Sequence, residues 1–235
     1  MIDLHTHILC GVDDGARTVD ESLQLLRMER DSGVSAVVLT PHFYRDRARP
    51  EHFFAARQKA MDALLAHLDT LEEAERVSLP RLIPAAEVAW RPNMARWEEL
   101  EKFCIPGTRN LLLELPFVPW ERDLCNELYS LMNRTGITPV LAHVERYLAS
   151  QDIMQVAEII SLGLPAQITA SEFLRLSTRR KALKALNLWA HVIATDCHNT
   201  DSRKPCMGQA MDVVAKKLGR GTADRLCAMA ETLVG

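Results

Sequence analysis

Residues 19–42 read VDESLQLLRMERDSGVSAVVLTPH, and this stretch decides the fold. The run 19–32 carries apolar residues at helical spacing and stops at Gly33, where a helix C-cap falls. The run 35–40 that follows is apolar almost throughout, as a strand covered on both faces should be, and His42 comes just after it. The same unit recurs on either side. Strands are expected at 2–4, 35–40, 81–86, 110–115, 137–142, 165–169 and 191–195. Helical patterns fall at 51–74, 121–135, 152–162, 208–218 and 222–233, with Gly136 and Gly163 again in the C-cap place. Such alternation predicts βαβ units around a parallel sheet or barrel. Residues 89–109, with Pro92, Pro106 and two tryptophans, break the pattern and read as a long βα loop or lid.

At 235 residues the chain has about the length of one α/β barrel, and no repeat or linker divides it, so one domain over 1–235 is expected. A formal net charge of −3 gives no basic field, which argues against nucleic acid or an anionic membrane as partner. No segment approaches the roughly 18 apolar residues of a membrane helix, and the start has no basic stretch leading into an apolar one, so a cytoplasmic protein without membrane insertion is expected. Cys10, Cys104, Cys125, Cys197, Cys206 and Cys227 form no C-x-x-C pair, which predicts reduced thiols.

The chemistry follows from what stands after each expected strand. His5 and His7 follow the first, His42 the second, Glu87 the third; Glu114 ends the fourth; His143 follows the fifth; Asp196 and His198 follow the last. In α/β folds such positions converge at the carboxyl ends of the strands. Imidazoles and carboxylates without thiolates suit manganese, iron or zinc, and with Glu87 able to bridge, the set can hold two or three divalent ions, the device used for phosphoester hydrolysis. His52 and His67 fall in a helical pattern and His191 at the start of a strand, so none of these three is expected at the site. Arg146 and Arg203 lie in loops on the same side, where a planar guanidinium can clamp phosphate.

Read together, the opening MIDLHTH (1–7), Asp13-Asp14-Gly15, Thr40-Pro41-His42, Ala86-Glu87-Val88, Leu113-Glu114-Leu115, Ala142-His143-Val144-Glu145-Arg146-Tyr147 and Ala194-Thr195-Asp196-Cys197-His198-Asn199 resemble the bacterial protein-tyrosine phosphatases of the polymerase and histidinol phosphatase (PHP) superfamily that accompany capsule and exopolysaccharide gene clusters. The resemblance runs nearly end to end. It implies a distorted, seven-unit TIM-like (β/α) barrel and a centre of two or three metal ions, manganese first. The ligands it implies are His5, His7, His42, Glu87, Glu114, His143, Asp196 and His198, with Arg146 and Arg203 on the phosphate and Asp196 and His198 counted in catalysis. Asp13 falls where relatives carry another metal-binding histidine, so it joins the implied set as a ligand or as a support behind one. The implied partner is the phosphotyrosine tail of a bacterial tyrosine autokinase.

Four rival readings remain. Histidinol phosphate or another small phosphoester is the competing substrate on the same scaffold. Cys197 and Arg203 satisfy the C-x5-R spacing of cysteine-dependent phosphatases, but the intervening loop has no glycine and carries Asp201, which would face the phosphate. A metal-dependent amidohydrolase lacks its usual lysine here. A binding protein with one structural metal needs four ligands, not nine candidates.

Overall fold

The computed structural model describes residues 1–121 and 123–235. Its strands are β1 (Ile2–Thr6), β2 (Ala36–Leu39), β3 (His42–Phe43), β4 (Arg81–Pro84), β5 (Glu87–Ala89), β6 (Asn110–Glu114), β7 (Thr138–Leu141), β8 (Gln167–Thr169) and β9 (Val192–Ala194). All seven expected strands are present. Two of them, expected at 35–40 and 81–86, stop at Leu39 and Pro84, and after a short break the chain pairs again as β3 and β5, which begin at His42 and Glu87, residues expected after the strands rather than in them; Pro41, in the first break, has no N–H to give. Pairing nevertheless runs across both breaks, through Ala85 N–H to Leu39 O at 2.8 Å and Glu87 N–H to Pro41 O at 3.2 Å.

The fold is mixed α/β with parallel sheets, ordered β1-β2-β4, β3-β5-β6-β7 and β8-β9. Every strand pair is parallel. Isolated parallel bridges also join Thr6 to Cys197 and Leu141 to Ala166. Alternate residues on the strands serve two cores. Leu4, Val38, Leu112, Val140 and Ala194 pack in one cluster. Leu39, Leu111, Leu113, Leu141 and Ile193 face the helices in the other.

The helices are α1 (Val19–Asp31), α2 (Pro50–Leu68), α3 (Glu73–Arg76), α4 (Leu124–Thr135), α5 (Val144–Tyr147), α6 (Ile153–Ser161), α7 (Arg179–Leu188), α8 (Met207–Leu218) and α9 (Arg220–Val234). Thr18 starts α1 by accepting from Glu21 N–H, and Gly33 ends it at φ +81°. Gly136 and Gly163 end α4 and α6 at φ +67° and +84°. α9 packs Ala230, Leu233 and Val234 on the first strand cluster, and its Leu233 O accepts from Asn110 Nδ2 at the start of β6, so it covers the amino ends of the strands.

Several expectations are corrected. The helix expected at 51–74 stops at Leu68, where the Thr70 hydroxyl bonds back to His67 O and tightens the last turn; α3 resumes after it. The helix expected at 121–135 starts at Leu124, and Arg122 lies outside the described residues. α7 was not foreseen. Residues 89–109 are not a lid: two 3₁₀ turns, Met94–Arg96 and Leu100–Phe103, bury Met94, Leu100 and Phe103 in the core.

Candidate metal centre

The side chains that the sequence places after successive strands meet at the carboxyl end of the sheets. His5 Nε2, His7 Nε2, Glu87 Oε2 and Asp196 Oδ1 form a tight group: His5 to His7 is 3.0 Å, His5 to Glu87 3.2 Å, and the contacts of His5 with Asp196 and of His7 with Glu87 and Asp196 are each 3.4 Å. Ligand atoms about 2.0–2.2 Å from one cation lie roughly 3.0–3.5 Å from one another, so these spacings match the edges of a coordination shell. Glu87 is central. Its Oε2 is also 2.8 Å from His42 Nδ1, and its Oε1 is 2.9 Å from His143 Nε2, which stands 3.4 Å from Glu114 Oε1. A third cluster joins His7, His42 and His198, with Asp14 Oδ1 3.4 Å from His42 Nε2 and 3.6 Å from His198 Nε2.

The imidazoles are turned by what holds their far nitrogens. His5 Nδ1 faces Gln167 Oε1 at 3.2 Å, His7 Nδ1 faces Asp13 Oδ2 at 2.7 Å, and His198 Nδ1 faces the Asp196 carbonyl at 2.9 Å. Donation from Nδ1 in each leaves an Nε2 lone pair directed at the cluster, the arrangement found around metal-ligating histidines. Glu87 Oε2 and His198 Nε2 are buried with no hydrogen-bond partner among the described residues, although both have close polar neighbours. A buried polar atom left this way costs about 1–3 kcal/mol, and a divalent cation would satisfy both. The donor set therefore fits metal.

The titration behaviour of these side chains follows from the same contacts. Burial would raise the Glu87 carboxyl, but His5, His143 and His42 hold it well below the usual range. Asp196 behaves alike, burial being outweighed by His5, His7 and Arg146. Burial lowers His198 to about 3 with help from neighbouring His7, so this ring is neutral. His143 is carried the other way: burial would lower it, yet Glu114 and Glu87 lift it to about 9. His143 and Asp196 both hold positive φ, +32° and +53°, a backbone cost of about 1–3 kcal/mol each that concentrates at the site.

Asp13 is largely engaged. Its Oδ2 accepts from His42 N–H at 2.9 Å besides facing His7, and its Oδ1 accepts from Gly15 N–H at 2.9 Å, which places it as a brace behind His7. Burial would raise its carboxyl, but the His7 bond and charge bring it down to about 2. It also clusters with Asp14 and His42 at ligand spacing. Arg146 and Arg203 both reach Asp196 Oδ2 with Nη2, Arg203 at 2.8 Å. A cavity of about 530 Å³ opens beside His42, lined also by Tyr44, Arg47, His52 and Phe53. His52 thus borders the site although it sits on α2; His67 instead pairs with Asp20 at the surface, and His191 Nδ1 accepts from Ala166 N–H ahead of β9.

Two supports escaped the sequence reading. Gln167, on β8, accepts from His143 N–H at 2.7 Å besides holding His5; its signal was one amide in an apolar strand. Glu29, on α1, is fully buried beside Asp3: Thr195 Oγ1 lies 2.5 Å from Asp3 Oδ2 and 3.3 Å from Glu29 Oε1. Cys197 belongs to this network. Its thiol is fully buried, bonds to Glu29 Oε1 at 3.7 Å, and is pushed well above its ordinary pKa by burial and by the charges of Glu29 and Asp3. A thiolate nucleophile is disfavoured there.

An α/β scaffold carrying adjoining imidazole–carboxylate clusters at its strand ends, with two arginines on one of those carboxylates, has the equipment of a metal-dependent hydrolase acting on an anion. The model of the capsular polysaccharide synthesis family CpsB/CapC matches residues 1–234, and the chain belongs to that family. Tyrosine-protein phosphatase CpsB of Streptococcus pneumoniae is 33% identical over 240 residues, covering 96% of this chain and 94% of that protein. Tyrosine-protein phosphatase YwqE of Bacillus subtilis is 28% identical over 247 residues, covering 100% and 91%. A chain from the crystal structures of YwqE and CpsB, described as unique metal-dependent tyrosine phosphatases, matches with a TM-score of 0.86 at 26% identity, covering 100% of this chain and 94% of that one.

Proposed function

We propose that this chain is a metal-dependent protein-tyrosine phosphatase of capsule or exopolysaccharide synthesis. The observation that carries it is the His5–His7–Glu87–Asp196 group with Arg146 and Arg203 on the same aspartate. In this reading residues 1–235 are one domain, and the three sheets work as one distorted seven-unit barrel, supported by the bridges Thr6–Cys197 and Leu141–Ala166. His5, His7, His42, Glu87, Glu114, His143, Asp196 and His198 would hold two or three divalent ions, manganese before iron or zinc, with Asp13 supporting His7 from behind and Asp14 available near His42 and His198. When bound, the ions supply Lewis-acid stabilisation and an activated water. The protein's own groups do the rest. Each arginine gives one donor to Asp196 and keeps others for the equatorial phosphate oxygens, and that shared anchor fixes both guanidiniums before substrate arrives. A phenol leaves with a pKa near 10, so weak proton assistance suffices for an aryl ester but not for an alkyl one.

The polypeptide substrate proposed is the phosphotyrosine tail of a bacterial tyrosine kinase, met in the cytoplasm; among the described residues no helix is long and apolar enough to cross a membrane. Turnover of a phosphotyrosine peptide and of histidinol phosphate, each with metal-stripped and manganese-restored protein, tests the reading. Manganese-dependent turnover of the peptide supports it; preference for histidinol phosphate, or full activity without metal, overturns it.

A further inference from the structure

A basic strip leads away from the arginine side of the centre. A cavity of about 280 Å³ begins at Asp196, Arg146 and Arg203 and continues past Arg175 and Lys204 to Glu172. Glu172 also borders a larger groove of about 600 Å³ between α5, the start of α6, and α7, so the two adjoin at this residue. That groove is floored by apolar side chains, including Leu148, Ile153, Leu188 and Trp189, and rimmed by Lys181 and Lys184. Leu148, Ile153 and Leu188 are 37%, 48% and 55% exposed, an unusual amount of apolar surface beside a charged site.

Charge is concentrated here. Residues 171–204 contain seven Arg or Lys against three Asp or Glu, on a chain whose net charge is −3. Of the three carboxylates, Glu172 pairs with Arg175 at 3.2 Å and Asp196 holds the two arginines, while Asp201 is exposed; Glu145, outside this stretch, accepts weakly from Thr169 N–H at 3.4 Å. Lys181 and Lys184 are exposed. Arg179 is different, since its guanidinium is spent on the carbonyls of Phe173 and Leu174.

We propose that this strip and groove seat the flank of the polypeptide that carries the phosphotyrosine, with acidic residues next to the phosphorylated tyrosine and an apolar anchor beyond them. The proposal rests on the phosphotyrosine reading and adds what lies outside the phosphate. Cations along the path complement carboxylates and raise the encounter rate, and the apolar floor past them holds a side chain that a small aryl phosphate lacks. The strip sets specificity for protein substrates without taking part in the chemistry.

The test compares p-nitrophenyl phosphate with phosphotyrosine peptides flanked by Asp/Glu and Leu, or by Lys and Gly, all with the manganese-loaded full chain. The acidic peptide is expected to show at least tenfold higher kcat/KM than the basic one, with a KM that rises as NaCl is added. The double variant Lys181→Glu/Lys184→Glu should lose most of that preference through KM, and Leu188→Asp should lose part of it, while both hydrolyse p-nitrophenyl phosphate at the native rate. Hydrolysis of both peptides without preference overturns this inference alone. Failure of the native protein to hydrolyse any phosphotyrosine substrate overturns it together with the proposed function. The same variants test two other occupants, and either result overturns the proposal: binding to phosphatidylserine vesicles that the double variant abolishes, without peptide preference, assigns the strip to lipid, and a dimer that Leu188→Asp dissolves assigns the groove to a second copy.

Discussion

Substituting Gly15 by alanine should damage the metal centre more than the fold. A Cβ at this position would stand 2.1 Å from His7 O and 2.6 Å from His7 Cβ, and neither atom is the end of a flexible side chain. Relief to ordinary contact at 3.4 Å needs a shift of about 1.3 Å from His7 O, which overpacking data put at about 1–3 kcal/mol. For a chain of this size that lowers Tm by about 2–12 °C. The shift falls on His7, whose Nε2 sits 3.0–3.4 Å from His5, Glu87 and Asp196 and whose Nδ1 is braced by Asp13. Disturbing such a support weakens metal binding by about 10–100-fold. The matched control is Gly163→Ala, at φ +84° with open space around it: a left-handed alanine costs about 1–2 kcal/mol but touches no ligand. Thermal unfolding and a manganese titration of phosphatase activity read the two effects separately. A native manganese midpoint in Gly15→Ala, or an equal shift in Gly163→Ala, would refute the reasoning.

Chelation should abolish phosphatase activity and manganese should restore it; activity surviving in protein shown metal-free by elemental analysis would sink the metal reading. His5→Ala should lower kcat by several orders of magnitude and His67→Ala by only a small factor, and equal losses would mean the histidines are wrongly sorted. Cys197→Ser should keep most of kcat on a phosphotyrosine peptide, because the thiol is buried and turned to Glu29; a folded, metal-loaded variant without activity would revive the cysteine mechanism. Arg203→Ala should cost about 10²–10³ in kcat, as loss of one positioned donor does, with a wild-type rate as the contrary result. Burial and the Asp3 charge raise Glu29 well above its ordinary 4.5, so the folded protein holds this proton more tightly than the unfolded chain does, and stability is lost as pH rises above 4.5. Glu29→Gln, which needs no proton, should gain on the native protein as pH rises above 4.5 in denaturant titrations of metal-free samples; a constant difference would contradict the buried-carboxyl account.

The strands were legible because apolar runs bounded by glycine report burial directly, and the ligand candidates were legible because a polar residue just past such a run has few places to go but the carboxyl end of the sheet. Period two in His5-Thr6-His7 even gives the shared side. What escaped the reading depends on tertiary context. Glu29 has the spacing of any helix residue, and only the approach of Asp3 and Thr195, remote in sequence, makes it a core group. Gln167 looks like a strand-interior accident until His5 and His143 are seen on either side of it. α7 was lost because residues 179–188 carry four basic residues that mask its buried Ala182, Ala185 and Leu186. The segment 89–109 is the long connection its prolines signal, but not a lid, since Met94 and Phe103 anchor it in the core.

The pairing of β1 with the segment after β9 also sets an order of events for the growing chain. Asp3 receives Thr195 N–H from 192 residues away, and Asp196 N–H reaches His5 O, so the first candidate ligands synthesised meet their partners only when the segment after β9 has been made. Contacts of such separation form late, after the loop-closure entropy between them has been met. A ribosome-bound chain that stops before Asp196 therefore carries His5, His7, His42 and Glu87 without their aspartate neighbour, and under the proposed ligand set tight metal capture would report that synthesis has passed residue 198.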